Sequence, residues 1–181
     1  YITTSGIGLV EAEGAIDPRA IRPGDQLLLS GDLGRHGLAI LAARHGLSLL
    51  LPPASDCAPL WPQVAALLKA GVTPHCLRDL TRGGLGSALQ ELAASSGCDL
   101  LLEEAAIPLA PGVEASCDLL GLDPLHLANE GRFVAVLPAS QLEPALALLA
   151  PSGGCWIGTV LPAPAAVPQV RLATVLGSER L

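Results

Sequence analysis

Leu77-Arg78-Asp79-Leu80-Thr81-Arg82-Gly83-Gly84-Leu85 is the stretch from which the rest of the chain can be read. The short segment from His75 to Leu77 reads as a strand that delivers Arg78 and Asp79 at its end. Thr81 is placed to cap a helix and two glycines open it. Leu85, Ala88, Leu89, Leu92 and Ala93 then recur at the spacing of one helical face, up to a stop near Gly97. Gly83 and Gly84 let backbone approach a ligand closely. A helix N-terminus presents free N–H groups and a positive dipole end, and Arg82 adds a full charge. The stretch therefore reads as a seat for an anion such as phosphate. The commoner use of such a pattern is a plain strand-to-helix turn, with Thr81 as cap and Asp79 paired to an arginine.

Outward from this centre, residues 5–13 read as a strand weakened by glycine, and Asp17-Pro18 starts one helical turn. Gln26 to Ser30 is a short buried strand. It runs into Gly31-Asp32-Leu33-Gly34-Arg35-His36-Gly37, a second strand–glycine loop–helix junction, and the helix after it stops at Gly46. Ser55-Asp56 reads as the cap of a helix with Leu60, Val64, Leu67 and Leu68 inward, ended by Gly71. Beyond the central helix come a strand from Cys98 to Glu103 and a helix marked by Val113, Cys117 and Leu120. A strand from Phe133 to Leu137 follows. Ser140-x-x-Glu143 reads as a capping box for a helix with Leu142, Leu146 and Leu149 inward. Strands at Cys155 to Leu161 and over Val170, Leu172 and Thr174 close the chain. Helices and strands intermix without strict alternation. This order predicts an α+β domain, a mixed sheet with helices packed against it, with no boundary inside residues 1–181.

Composition narrows the function classes. The 181 residues suffice for one domain with a real core, and with 50% hydrophobic but only 2% aromatic residues that core must be Leu, Ala and Val. A net charge of −7 with ten Lys plus Arg argues against a nucleic-acid binder, though a few arginines are enough for a small anion. The five cysteines are odd in number and far apart, with no CxxC pair. They suit neither a zinc site nor a disulfide framework, and read as small core residues of a reducing cytoplasm. Residues 144–170 carry no charge, but prolines at 144, 151, 162, 164 and 168 rule out a membrane-spanning helix. The absence of methionine and the start at Tyr1 point to a piece of a longer protein.

The loop from Leu122 to Arg132 is mostly apolar, yet it delivers Asn129-Glu130-Gly131 just before a strand. A carboxylate carried by such a loop is expected to be partly desolvated, a setting that makes it a better base. The alternative is that Glu130 pairs with Arg78, Arg82 or Arg132. His36, between an arginine and a glycine at a helix start, reads either as a donor to an anion or as a solvated loop residue. His45 reads as structural, and His75 and His126 lack partners at metal-ligand spacing, so no metal site is expected in this chain. If the Thr81 helix start and the Glu130 loop share one sheet edge, an anion and a base converge there.

Four ordered motifs now carry a resemblance: Ser-Asp-Cys-Ala-Pro-Leu (55–60), Arg-Asp-Leu-Thr-Arg-Gly-Gly-Leu (78–85), Leu-Gly-Leu-Asp-Pro-Leu (120–125) and Ala-Asn-Glu-Gly (128–131). Together they resemble the HypE family of hydrogenase maturation factors, over essentially the whole chain and in its C-terminal domain. That family lies in the superfamily of aminoimidazole ribonucleotide synthetase, selenophosphate synthetase and thiamine-monophosphate kinase. Leu80 stands where many members are expected to have proline, a change of loop stiffness. The resemblance implies the fold of the aminoimidazole ribonucleotide synthetase C-terminal domain. It also implies an ATP-dependent dehydratase that turns a carbamoyl group on a terminal cysteine sulfur into thiocyanate, the source of cyanide for the [NiFe] site.

HypF is implied as carbamoyl donor, a HypC–HypD complex as acceptor and a homodimer as the working form, with ATP and Mg2+ held mainly by a separate N-terminal domain. Mapped onto the matching positions, Glu130 is the implied base and Arg82 the group that steadies phosphate, with Asn129 and His36 as candidates for orienting the amide or the phosphate and Asp79 for holding an arginine in place. Thr81, Gly83, Gly84, Asp79 and His36 stand around the nucleotide's phosphate. The terminal Pro-Arg-Ile-Cys tail of the family does not occur within residues 1–181, so this stretch alone is expected to fold without catalysing. The rival expectations are another ATP-dependent superfamily member, or an interaction module without catalytic residues.

Overall fold

A computed structural model describes residues 2–10, 14–49, 51–164 and 167–180. Among them seven strands form one sheet: β1 (Gln26–Leu29), β2 (Cys76–Asp79), β3 (Cys98–Glu103), β4 (Phe133–Leu137), β5 (Cys155–Pro162), β6 (Val170–Ala173) and β7 (Glu179–Arg180). Their spatial order is β2-β4-β1-β5-β3-β6-β7. Every neighbouring pair is antiparallel except β3 with β6, so the sheet is mixed, as the element order predicts. Five helices accompany it: α1 (Arg35–His45), α2 (Trp61–Lys69), α3 (Gly84–Ser96), α4 (Val113–Leu120) and α5 (Leu142–Leu149).

The composition of β4 explains the layering. Phe133-Val134-Ala135-Val136-Leu137 is buried at every position, and a strand apolar on both sides needs cover on both faces of its sheet. On one face Val134 and Val136, with Leu27 and Leu29 of β1, pack against Leu85, Leu89 and Leu92 of α3. On the other, Phe133, Ala135 and Leu137, with Leu28, pack against Leu67 of α2 and Ala145 and Leu149 of α5. A third cluster of Leu38, Ala110, Val113 and Cys117 joins α1 to α4. The apolar stripe read in the central stretch is thus the stripe that α3 lays on the sheet.

Several expectations change at the ends of elements. Residues 5–10 form no strand, and Ile7, Leu9 and Val10 are exposed, while residues 11–13 lie outside the described residues. A strand needs a neighbour to hydrogen-bond with, and the sheet offers this segment none. The two-residue β7 follows a turn at Gly177 (φ 77°) and is too short for a periodic signal. Thr81 does not cap α3. Gly83, at φ 79°, takes the cap position, and the Thr81 carbonyl accepts the Gly84 N–H. Asp56 does not cap α2, which starts five residues later at Trp61 with Pro62 in its first turn. The Ser140 capping box is not formed either, because residues 139–141 make a 3-10 turn that puts Gln141 at the start of α5.

All five cysteines are free thiols, three of them buried, and burial pushes the Cys76 thiol up to about 11. Among the described residues no helix is long and apolar enough to cross a membrane. Because α3 closes one face of the sheet, Leu89→Ala is expected to cost about 2–5 kcal/mol in urea unfolding. Ile7→Ser in the same chain should change stability by less than about 0.5 kcal/mol. Equal losses for the two variants would contradict this packing.

Candidate active site

Because β4 runs antiparallel to both β1 and β2, the ends of those two strands and the start of β4 lie on one edge of the sheet, with Leu29 opposite Val134 and Asp79 opposite Phe133. Three loops meet there: residues 30–34 after β1, residues 80–83 after β2, and residues 122–132 before β4. The adjacency that the sequence left open is therefore realised.

Asn129 ties the three loops together. Its backbone N–H donates to the Leu80 carbonyl at 2.9 Å, and its Oδ1 accepts the Gly34 N–H at 2.8 Å. Its Nδ2 donates to the Leu127 carbonyl at 2.9 Å, and the residue is 1% exposed. An amide offers a donor and an acceptor at once, which neither a carboxylate nor an apolar side chain does. With its amide engaged in this way, Asn129 holds the site from inside and is not placed to orient a substrate amide.

Gly84 has a corrected role as well. At φ 62°, a Cβ there would stand 2.5 Å from the Leu127 oxygen and 2.6 Å from the Leu125 oxygen. The backbone that approaches so closely is the chain's own, and it brings the Glu130 loop against the start of α3. Gly37 does the same on the other side, its N–H donating to the Ala128 carbonyl at 2.8 Å. Leu80 is buried and its N–H donates to the Arg132 carbonyl at 3.1 Å, a bond that proline at this position could not make.

Glu130 is half-buried, and its carboxylate has no hydrogen bond or ion pair among the described residues. The arginines expected as alternatives are engaged elsewhere or exposed. Arg78 pairs with Glu91 at 2.7 Å and lies 3.9 Å from Asp79, and Arg132 pairs with Asp32 at 2.6 Å. Arg82 is exposed beside the start of α3, whose first turn holds no acid and whose cap makes no side-chain bond. That leaves Arg82 and the α3 N-terminus available to a phosphate. Asp79 is exposed and faces Arg78, at the margin of the convergence. His36 Nδ1 lies 2.8 Å from Ser55 Oγ at the rim.

Two acids not expected as site residues also stand here, Asp56, which reads as a helix cap, and Asp32 of the first glycine loop. Asp56, 8% exposed, accepts the Glu130 N–H at 3.4 Å and the Gly131 N–H at 3.2 Å. Asp32 bridges Arg35 and Arg132. Burial pushes the Asp32 carboxyl up, but the hydrogen bonds from Arg35 and Arg132 outweigh it and hold the group below the ordinary aspartate range. Both acids sit in glycine- or proline-flanked motifs already quoted, which was the available signal. Among the described residues no group of three or more His, Cys, Asp or Glu is placed to hold a metal ion.

The family model of the AIR synthase related protein, C-terminal domain, matches residues 22–171. The chain belongs to this family. This AIR-synthase-related domain is 43% identical over 185 residues to the carbamoyl dehydratase HypE of Rhodobacter capsulatus, covering 100% of the chain and 54% of that relative. It thus spans about half the length of the curated relatives it matches. The structure of a hydrogenase maturation protein HypE in complex with ATP superposes with a TM-score of 0.86 at 42% identity, over 91% of this chain and 52% of that one. That of a HypE–HypF complex does so at 0.83 and 33% identity, over 91% and 54%. These similarities carry the expected superfamily fold.

Gly84→Ala should drive the 125–127 backbone off α3 and lower stability by about 1–3 kcal/mol, visible as a lowered melting temperature. Asp32→Asn tests the charge cluster by its pH dependence. A depressed folded-state pKa gives stability that is complete above the unfolded value of 3.8 and is lost as pH falls through the lower folded value. The stability gap between parent and Asp32→Asn should therefore hold from pH 7 down to about 3.8 and narrow below it. A gap that closes at neutral pH would contradict the assignment.

Proposed function

We propose that this domain is the C-terminal half of an ATP-dependent carbamoyl dehydratase of [NiFe]-hydrogenase maturation. The observation that carries the proposal is the Glu130 carboxylate, fixed through its backbone but without a side-chain partner among the described residues, on the same sheet edge as Arg82 and the α3 N-terminus. The likeness to carbamoyl dehydratases over the full length of the chain supports it.

The substrate is a carbamoyl group on the sulfur of a C-terminal cysteine, and in the net reaction carbamoyl thioester plus ATP give thiocyanate, ADP and phosphate. ATP supplies the phosphoryl group that makes the carboxamide oxygen a leaving group. The carboxamide nitrogen gives up two protons. The first leaves to solvent as the oxygen is phosphorylated, which forms a neutral imidate phosphate. Glu130 takes the second as the C–O bond breaks and the C≡N bond forms, a general-base contribution of about 10²–10⁴-fold. Arg82 and the N-terminal end of α3 steady the departing phosphate, which carries the former carboxamide oxygen. Thr81 and His36 border that position, Asp79 restrains Arg78 next to it, and Asn129 keeps the loops in register.

A further N-terminal domain holds most of the Mg-ATP and a tail beyond this stretch brings the cysteine, so residues 1–181 alone fold without turning over ATP. The working protein is a cytoplasmic homodimer that takes its carbamoyl group from HypF and passes cyanide to HypC–HypD. The solved HypE–HypF complex of a relative supports the first of these partners.

The test is the mass of the C-terminal peptide of the intact, carbamoylated protein after Mg-ATP. The wild type should lose the mass of one water, and Glu130→Gln should do so at least about 100-fold more slowly with an unchanged melting temperature. Dehydration by Glu130→Gln at the wild-type rate would make Glu130 structural. An unchanged peptide mass while ATP is consumed would assign the domain to another acceptor.

A further inference from the structure

We infer that Asp56 is a positioning residue for the dehydration, acting through Glu130; the inference rests on the reading of Glu130 as base. Asp56 lies five residues before α2, so helix capping does not explain its burial. Its two oxygens divide between two successive peptides, Oδ1 facing the Glu130 N–H and Oδ2 the Gly131 N–H. A return contact runs the other way, from the Ala58 N–H to the Glu130 carbonyl at 3.5 Å. The two segments meet so closely that a Cβ on Gly131 would collide with the Asp56 carbonyl.

A buried carboxylate is costly unless its oxygens are hydrogen-bonded, and among the described residues these peptides are what Asp56 bonds. No salt bridge to Asp56 occurs among the described residues, and its charge attracts Arg35 through space. The arrangement matters because the Glu130 side chain has no partner of its own among the described residues. No hydrogen bond or ion pair among the described residues fixes its tip, so its placement depends on the backbone that carries it, and Asp56 holds the peptides on both sides of Glu130. A displacement of the order of 1 Å at such a group costs about 10²-fold in rate.

Asp56→Asn keeps the volume and replaces one acceptor by an NH2 that faces an N–H. In the intact, carbamoylated protein given Mg-ATP, it should lower kcat for dehydration by about 10–100-fold. The KM for ATP should stay within about twofold and the extent of carbamoylation should be unchanged, because Asp56 touches neither. The deciding measurement is the double variant with Glu130→Gln. A residue that works only through Glu130 adds nothing once that carboxylate is gone, so the double variant should match Glu130→Gln alone. Should Asp56→Asn melt early, Asp56→Ser, which keeps one acceptor, carries the same comparison. Losses that multiply in the double variant, or a wild-type kcat for Asp56→Asn beside an inactive Glu130→Gln, overturn the role of Asp56 and leave the base intact. A wild-type rate for Glu130→Gln overturns both.

Discussion

The buried amide of Asn129 is the interaction on which the candidate site depends. Through one side chain and its own N–H it joins the loop after β1, the loop after β2 and the loop before β4. Such a clasp is stable only because it is dry. A hydrogen bond that would exchange freely with water at the surface becomes costly to break when its partners would be left buried and unpaired. The glycines at 37 and 84 belong to the same device, since each removes a side chain from a place where two backbones meet, and Gly34 leaves room for the Val113 side chain.

The clasp in turn requires a sheet that brings those loops together. Antiparallel pairing of β4 with both β1 and β2 puts two strand ends and one strand start on a single edge. Burial of β4 on both faces holds that order, because a shifted register would move Val134 and Val136 off α3 and Phe133 and Leu137 off α2 and α5. Packing far from the site therefore sets the geometry at the site.

Charges around the edge are sorted by the same logic. Asp32 is matched by two arginines, Arg78 by two acids, and Asp56 by peptide N–H groups. Glu130 and Arg82 are left without such matches among the described residues. Groups whose charge is already satisfied hold structure. A half-buried carboxylate and an exposed guanidinium beside a helix start are left over, the pair on which the proposed function rests.

Periodicity made much of this legible from the chain alone. The stripe Leu85, Ala88, Leu89, Leu92 and Ala93 specifies α3, and the unbroken apolar run 133–137 specifies a strand buried on both sides, because each pattern repeats within a few residues. The glycine loops, and the motifs that resemble HypE, were legible for the same reason. Long-range pairing was not. Thr81 and Ser55-Asp56 look like caps locally, yet Gly83 takes one cap position and Asp56 bonds a peptide 74 residues away. Asn129 reads as a candidate for orienting substrate until the Gly34 N–H, 95 residues distant, is seen to occupy its oxygen. Local spacing limits which hydrogen bonds a polar side chain can make within its own segment. Which distant peptide it meets depends on strand order and on the depth of burial, and those arise when the sheet and its two helical layers assemble.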